Sequence, residues 1–476
     1  MEERKVDVAV IGAGTAGISA RREAVKAGAR VLLIEAGPYG TTCARVGCMP
    51  SKLLIAAANA AQSARNAGLF GVHAAAVRVD GRAVMQRLRE ERDRFVAGVL
   101  RSFDDIPDDE KLTGSARFVA SDTLVVDKGL RVRARSIVIA AGSNPGVPSF
   151  LRAIGKHVIV NDDLFDFEDL PDSIAVIGAG AVGIELGQAL HRLGVRTTIF
   201  DSGRAIGPLR DERVQQEVRA VLGAELDIRL GVKVEAEAEG GNRVRLRWRN
   251  DGGGGEDVFS YVLAATGRRP NLKALALEHA GLRLGEDGVP IFDPETLQCG
   301  QSAVFIAGDA NSERPILHEA AHEGRIAGAN AARFPNILPQ RRLLPLGIVF
   351  TEPGMATVGR SPANSGGGDL AAGEASFADQ GRARVIGENK GVLRVYAERS
   401  DCRLVGAEIF APAAEHLAHL LAWAIERGVT VQEALELPFY PPTVEEGLRT
   451  EIRAVGADLR ILPHEQRADL ELGPGA

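Results

Sequence analysis

Short apolar runs broken by glycine set the rhythm of the first half of the chain. Val6 to Ile11 is apolar and runs into Gly12-Ala13-Gly14-Thr15-Ala16-Gly17; a helix-length segment from Ile18 to about Lys26 follows, and Val31 to Ile34 forms a second apolar run ending at Glu35. A run too short for a buried helix, then a helix, then another run predicts two parallel strands joined by a crossover helix. The pattern returns downstream. Ser173 to Ile177 leads into Gly178-Ala179-Gly180-Ala181-Val182-Gly183, a helix carrying Glu185, and the strand Arg196 to Phe200 ending at Asp201. The interval from third glycine to acid is the same in both, Gly17 to Glu35 and Gly183 to Asp201, so the second unit repeats the first.

Other segments carry different periods. Val84, Leu88, Phe95 and Val99 recur near helical spacing in a charged stretch, predicting an amphipathic helix whose stripe packs on the first domain. Asp104 to Lys111 reads as an acidic loop, Leu124 to Val132 and Ile137 to Ala140 as strands leading to Ala141-Gly142-Ser143-Asn144-Pro145. Val244, Leu246 and Trp248 alternate before Asp251-Gly252-Gly253-Gly254-Gly255, and Val258 to Ala264 resumes strand character, which predicts a hairpin at a domain edge. Beyond Pro345 the pattern changes. Ser361 to Gly373 reads as a loop, and Glu415 to Ile425 as a helix with Leu417, Leu420, Leu421 and Ala424 on one side and with His416 and His419 as structural histidines.

Composition narrows the partners. A chain of 476 residues suggests roughly three domains. A formal charge of -6 and the lack of a long basic run argue against nucleic acid or an anionic membrane as the main partner. The N-terminal residues lead straight into a strand and no apolar stretch is long enough to cross a bilayer, so a cytoplasmic location is expected. Of four cysteines, Cys299 and Cys402 have no near neighbour and read as small core residues, and no second Cys/His pair has zinc-ligand spacing.

The candidate chemistry lies in two places. Each glycine fingerprint lets backbone approach a pyrophosphate at a helix N-terminus, and the acid at the next strand end accepts hydrogen bonds from a ribose. The candidate nucleotide contacts are Gly12, Gly14, Gly17 and Glu35, then Gly178, Gly180, Gly183 and Asp201. Cys43 and Cys48 stand in Thr42-Cys43-Ala44-Arg45-Val46-Gly47-Cys48-Met49-Pro50-Ser51-Lys52. Five residues of ideal helix rise about 7.5 Å, whereas bridged cysteines need Cα atoms roughly 4.4 to 6.8 Å apart. A disulfide therefore demands a distorted helix entrance, which Gly47 permits. The pair reads either as a redox couple or as two unrelated buried thiols. Two dinucleotides beside a dithiol point to a flavin plus a nicotinamide.

With these features the chain resembles the pyridine nucleotide-disulfide oxidoreductases, flavoenzymes that include dihydrolipoyl dehydrogenase, glutathione reductase and mercuric reductase. The resemblance covers essentially the whole length. It rests on both fingerprints, the Cys43 to Lys52 run, Ala141-Gly142, Ala265-Thr266-Gly267-Arg268-Arg269-Pro270-Asn271, Phe305-Ile306-Ala307-Gly308-Asp309 and Val349-Phe350-Thr351-Glu352-Pro353. It implies an α/β fold with two Rossmann-like domains: an FAD domain over 1–150 and 270–340, an inserted NAD domain over 151–269, and a C-terminal α+β domain over 345–476 that forms a homodimer. It implies that Cys48 touches the flavin and Cys43 exchanges with substrate, that Lys52 lies beside the flavin paired with Glu185, and that Asp309 meets the ribityl-phosphate side. Ala141, Gly142, Gly267 and Gly308 fall on the family's cofactor-binding motifs. A carboxylate at Asp201 suits the free 2′-hydroxyl of NAD, with Arg204 as the complicating cation.

One departure stands out, in Phe439-Tyr440-Pro441-Pro442-Thr443-Val444-Glu445-Glu446. Disulfide-reducing relatives place a proton-shuttling histidine where this chain has Pro441, while the glutamate that orients it is kept as Glu446. Proline has no titratable group, and Tyr440, with an ordinary pKa of about 10, is a poor substitute. Three readings follow: a dihydrolipoyl dehydrogenase-like enzyme acting on lipoamide or a lipoyl-carrying protein; a mercuric-reductase-like enzyme, although Leu470 to Ala476 lacks the vicinal cysteines of that group; or a homologue with only diaphorase or structural roles.

Overall fold

The computed structural model describes residues 3–73, 76–127, 129–241, 243–364 and 369–462. The tail from 470 on, read above for its lack of cysteine, lies outside the described residues, as does the centre of the expected 361–373 loop. Two compact units result: one holds residues up to 53, 86–146 and 267–343, the other residues 54–85, 147–266 and 344 onward.

The first unit is built on a seven-stranded sheet. At its centre β1 (Glu3–Ile11) pairs in parallel with β2 (Val31–Glu35) on one side and with Leu130–Ile139 on the other. Val8, Ala9, Val10, Leu32 and Leu33 are fully buried, because both faces of the sheet are covered and an apolar run has no polar side to show. The crossover helix α1 (Thr15–Lys26) lays Ala16, Gly17, Ala20 and Ala24 against the sheet. Small residues on that face let a second helix, Leu317–Arg333, approach so closely that Cβ atoms on its Gly324 and Gly328 would fall 2.2 and 2.1 Å from the carbonyl oxygens of Ala16 and Ala20.

The second unit holds a five-stranded parallel sheet ordered Asp227–Leu230, Arg196–Asp201, Ser173–Ile177, Tyr261–Ala264, Val158–Ile159. It also contains a six-stranded antiparallel sheet of the C-terminal region, carrying the helices Ala414–Glu426 and Glu446–Asp458. The expected hairpin is present as Arg243–Asn250 paired with Gly253–Phe259, with Lys233–Glu239 as a third strand. The glycine run therefore lies largely in a strand, and the supposed strand 258–264 is divided: Phe259 ends the hairpin and Tyr261 begins a central strand of the parallel sheet.

Several expectations need correction. The stripe on Gly81–Asp104 is only partly covered: Met85 and Leu88 are buried, but Phe95 is 43% exposed. On Ala414–Glu426 the core face is Leu417, Ala418, Leu421 and Ala422, while Leu420 points outward. Cys299 is buried as expected, whereas Cys402 is half-exposed in a turn with positive φ.

Candidate active site

The two fingerprints fold into the same cradle. Gly12 and Gly178 have positive φ, and a Cβ on either would lie 2.2 or 2.3 Å from the carbonyl oxygen of Ala140 or Ala265. Gly17 and Gly183 are tighter: a Cβ would sit 1.8 Å from the carbonyl oxygen of Gly12 or Gly178. The middle glycines, Gly14 and Gly180, meet nothing within 4 Å and occupy the N-cap of their helices. Neither helix has a side-chain cap or an acid in its first turn, so its free N–H groups and positive dipole end are left for an anion. Each acid closes its own loop. Glu35 accepts from Ala13 N at 2.6 Å and Gly37 N at 2.8 Å; Asp201 accepts from Ala179 N and Gly203 N, both at 2.6 Å. These cradles fit two dinucleotide pyrophosphates.

The other first-unit motifs gather into one network. Ser143–Pro145 pairs with Arg268–Pro270, and Asn271 donates from its backbone to Gly142 O and from its side chain to Ala141 O, both at 3.0 Å. Asp309 accepts from the Ser143 hydroxyl at 2.6 Å, and Arg268 Nε donates to that hydroxyl at 2.8 Å. Gly308 is at positive φ, and a Cβ there would lie 2.9 Å from the Ala16 Cβ, so the position suits glycine on both counts. Gly267, also at positive φ, gives its carbonyl to Gly146 N at 2.8 Å. Sequence reading missed Ser143 and Arg268 as partners of Asp309, although both lie in the motifs that carried the resemblance.

Behind this turn Glu323, fully buried on Leu317–Arg333, accepts from Gly308 N at 2.6 Å and Asn311 Nδ2 at 2.7 Å and pairs with Arg342. Burial pushes its carboxyl up to about 7, against the opposing pull of Arg342 and the two N–H donors. A carboxyl raised on folding favours the folded state most below its unfolded value and loses that contribution as pH rises through 7. The melting temperature is therefore expected to rise on acidification from pH 8 toward 5, and Glu323→Gln to flatten this part of the profile. An unaltered profile in thermal melts of the variant would remove Glu323 as its source.

The cysteines resolve the geometric conflict posed by their spacing. α2 (Thr42–Arg45) is a single turn that starts from Thr41, at φ 55°, and stops at Val46, whose φ of -139° is non-helical; after Gly47, α3 (Cys48–Asn66) begins afresh. Gly47 is where the two pieces touch: a Cβ there would lie 3.0 Å from Thr42 O and 3.2 Å from Cys43 Cα. Pro50 sits in the first turn of α3, where a missing N–H costs nothing. Cys43 is half-buried and Cys48 exposed. The Cys43 thiol is pushed well up by its hydrogen bond to the Cys48 side chain, then by burial and the Cys48 charge, with Lys52 pulling the other way. Cys43 is therefore a sulfur that holds its proton.

The remaining candidates are in the second unit, whereas Lys52 is in the first. Glu185, only 6% exposed, accepts from Phe350 N at 2.8 Å. Arg204 is exposed. Pro441 is exposed and joined to Pro442 by a cis bond; Glu446 is half-buried at the start of Glu446–Asp458 and accepts from Thr443 N at 3.2 Å.

Residues 6–324 match the model of the pyridine nucleotide-disulphide oxidoreductases, and residues 346–452 match the dimerisation domain of that family. The chain belongs to the pyridine nucleotide-disulphide oxidoreductase family. It is a flavoprotein disulfide oxidoreductase of mixed α/β fold, in a family that uses FAD and NAD(P). FAD and NAD(P) are the cofactors of this family, and the dimerisation domain supports a homodimer. Among family members, dihydrolipoyl dehydrogenase of Thermus scotoductus (strain ATCC 700910 / SA-01) is 32% identical over 460 residues, covering 93% of this chain and 95% of that one. Mercuric reductase of Staphylococcus aureus is 28% identical over 451 residues, covering 93% and 81%. In fold, the chain is similar to the HOCl-induced flavoprotein disulfide reductase RclA from Escherichia coli, with a TM-score of 0.79 at 22% identity over 94% of this chain and 99% of that one. Among the described residues no helix is long and apolar enough to cross a membrane.

Proposed function

We propose that this oxidoreductase exchanges electrons between NAD(H) and an external dithiol through Cys43 and Cys48, with lipoamide or a lipoyl-carrying protein as substrate. The observation that carries the reading is the hydrogen-bonded pair of thiols across the break between α2 and α3, within reach of the Lys52 charge. Bound FAD supplies a two-electron relay between nicotinamide and sulfur. The first fingerprint and Asp309 would hold FAD, the second fingerprint NAD, and Asp201 favours NAD over its 2′-phosphate because a fixed carboxylate repels that group. In the oxidised enzyme a substrate thiolate attacks Cys43 of the Cys43–Cys48 bond, and Cys48 leaves as the thiolate. The second substrate sulfur then displaces Cys43 and closes the product disulfide, leaving both electrons on the enzyme thiols.

The two substrate protons need acceptors, and here the chain is deficient. Glu446 is in place to orient a base, but Pro441 supplies none. General acid-base catalysis is worth about 10²- to 10⁴-fold, so free dihydrolipoamide is expected to turn over slowly. Pro441→His is expected to raise its kcat by about 10²-fold, the lower end of that range. An unchanged chemical step in single-turnover kinetics would count against the missing base as the limitation.

A mercuric-reductase-like reading has one specific support: those enzymes also lack the histidine, and they are among the relatives. Anaerobic NADH titration followed by parallel assays with free dihydrolipoamide, a lipoylated protein and Hg(II) separates the readings. Faster turnover of the lipoylated protein supports the proposal. Preference for Hg(II) overturns the lipoyl assignment, and dye reduction alone leaves only the diaphorase.

A further inference from the structure

The helix Ala181–Arg192 shows three buried polar side chains at one face, Glu185, Gln188 and Arg192, each no more than 6% exposed. Such residues are rarely buried without partners, and all three reach the same short loop. Glu185 takes Phe350 N; Gln188 accepts from Glu352 N at 2.9 Å and donates to Glu352 O at 2.8 Å; Arg192 donates to both the carboxylate and the carbonyl of Glu352.

Arg192 does more than hold that loop. Its Nε and Nη2 donate to the two carboxylate oxygens of Glu225, at 2.6 and 3.1 Å, at the end of the helix Glu212–Glu225. Its Nη1 reaches Asn59 Oδ1 at 3.2 Å, and its own carbonyl accepts from Arg65. Asn59 and Arg65 are on α3, the helix that begins with Cys48 and carries Lys52 in its second turn. Glu388 adds a third carboxyl here, raised by burial and by Glu352 and lowered by Arg192. A buried guanidinium whose donors are shared among three separate segments fixes direction as well as distance, which a lysine or an apolar residue does not reproduce.

We infer that Arg192 is a positioning residue for the redox helix: by fixing Asn59 and Arg65 against the Phe350–Glu352 loop, it sets the pose of Cys48 and Lys52 at the other end of the same continuous helix. Rotation of α3 at Asn59 is carried to Cys48 because a helix transmits it as a rigid rod over about 16 Å of rise. The inference rests on the reading of Cys43 and Cys48 as the working couple.

Asn59→Ala and Arg192→Lys test it in the FAD-loaded enzyme. Three quantities are read after reduction by NADH: the long-wavelength absorption of a thiolate beside flavin, the rate of thiol alkylation by iodoacetamide, and turnover of dihydrolipoamide against that of a dye. Both variants are expected to weaken the band, change the alkylation rate, and lower dithiol kcat about tenfold while KM for NADH and dye reduction hold, as small misplacements of reacting groups do. Unchanged alkylation together with an unchanged ratio of dithiol to dye turnover overturns the inference, as does an equal loss of both activities. Should Arg192→Lys fail to fold, Asn59→Ala removes a single hydrogen bond at a half-buried position and decides alone. If the wild-type enzyme shows no band, the reading of Cys48 fails instead, and the alkylation rates still decide whether Arg192 positions the helix.

Discussion

Cys48→Ser is expected to leave NADH-driven dye reduction intact and to lower turnover of a dithiol or disulfide by at least about 10³-fold, as loss of a covalent participant does. Serine keeps the size and a hydrogen bond to Cys43 but forms no bond to sulfur. Cys43→Ser should do the same, and the double variant should cost no more than either single one, because the two act as one unit. The singles are not equivalent in other respects. Cys48 is exposed, whereas Cys43 is half-buried and burial raises its pKa, so Cys43→Ser should leave a readily alkylated thiol at Cys48, whereas Cys48→Ser should leave a slower one at Cys43. Steady-state assays with alkylation kinetics check this. Retention of more than about a tenth of dithiol turnover in either variant would remove the couple from the mechanism.

The next largest effect should come from the smallest substitution. Gly17→Ala and Gly183→Ala each put a methyl group 1.8 Å from a carbonyl oxygen of the same fingerprint, a clash with backbone that no side-chain rotation relieves. Overpacking costs typically about 1–3 kcal/mol, and backbone displacement at a phosphate cradle also loses ligand contacts, so the affinity of each site should fall about 10²-fold. Gly17→Ala should purify with little flavin. Gly183→Ala should keep its flavin and show a KM for NADH raised by a similar factor. Flavin-to-protein absorbance and rapid-mixing reduction by NADH separate the two outcomes, and loss of flavin from Gly183→Ala would reverse the assignment of the cradles.

Both cradles were legible because their demands are local: backbone can approach backbone only where no Cβ intervenes, and an acid at the next strand end closes the loop. The break at Val46–Gly47 was also foreseeable, since helix rise and cysteine reach conflict over five residues. Other features depended on what packs where. Ser260, the point at which one apparent strand becomes two strands in different sheets, has no local signal. Leu420 and Phe95 fit helical stripes, yet nothing in a stripe says how wide the covering surface is. Glu185 was visible through its motif, but Gln188 and Arg192 were not. Their only sequence signal is that polar residues three and seven positions on share a face with it, and solvated faces look the same until the neighbours are known.

Asp201 accepts from Ala179 N and Gly203 N with its two oxygens. If it also selects the nucleotide, as proposed, recognition and loop closure are vested in one side chain. Removing the carboxylate to admit a 2′-phosphate would free two backbone donors and loosen the turn that binds either cofactor. A lineage moving from one coenzyme to the other would then meet a fitness valley at this position, crossable only if a replacement tie for the loop arose first.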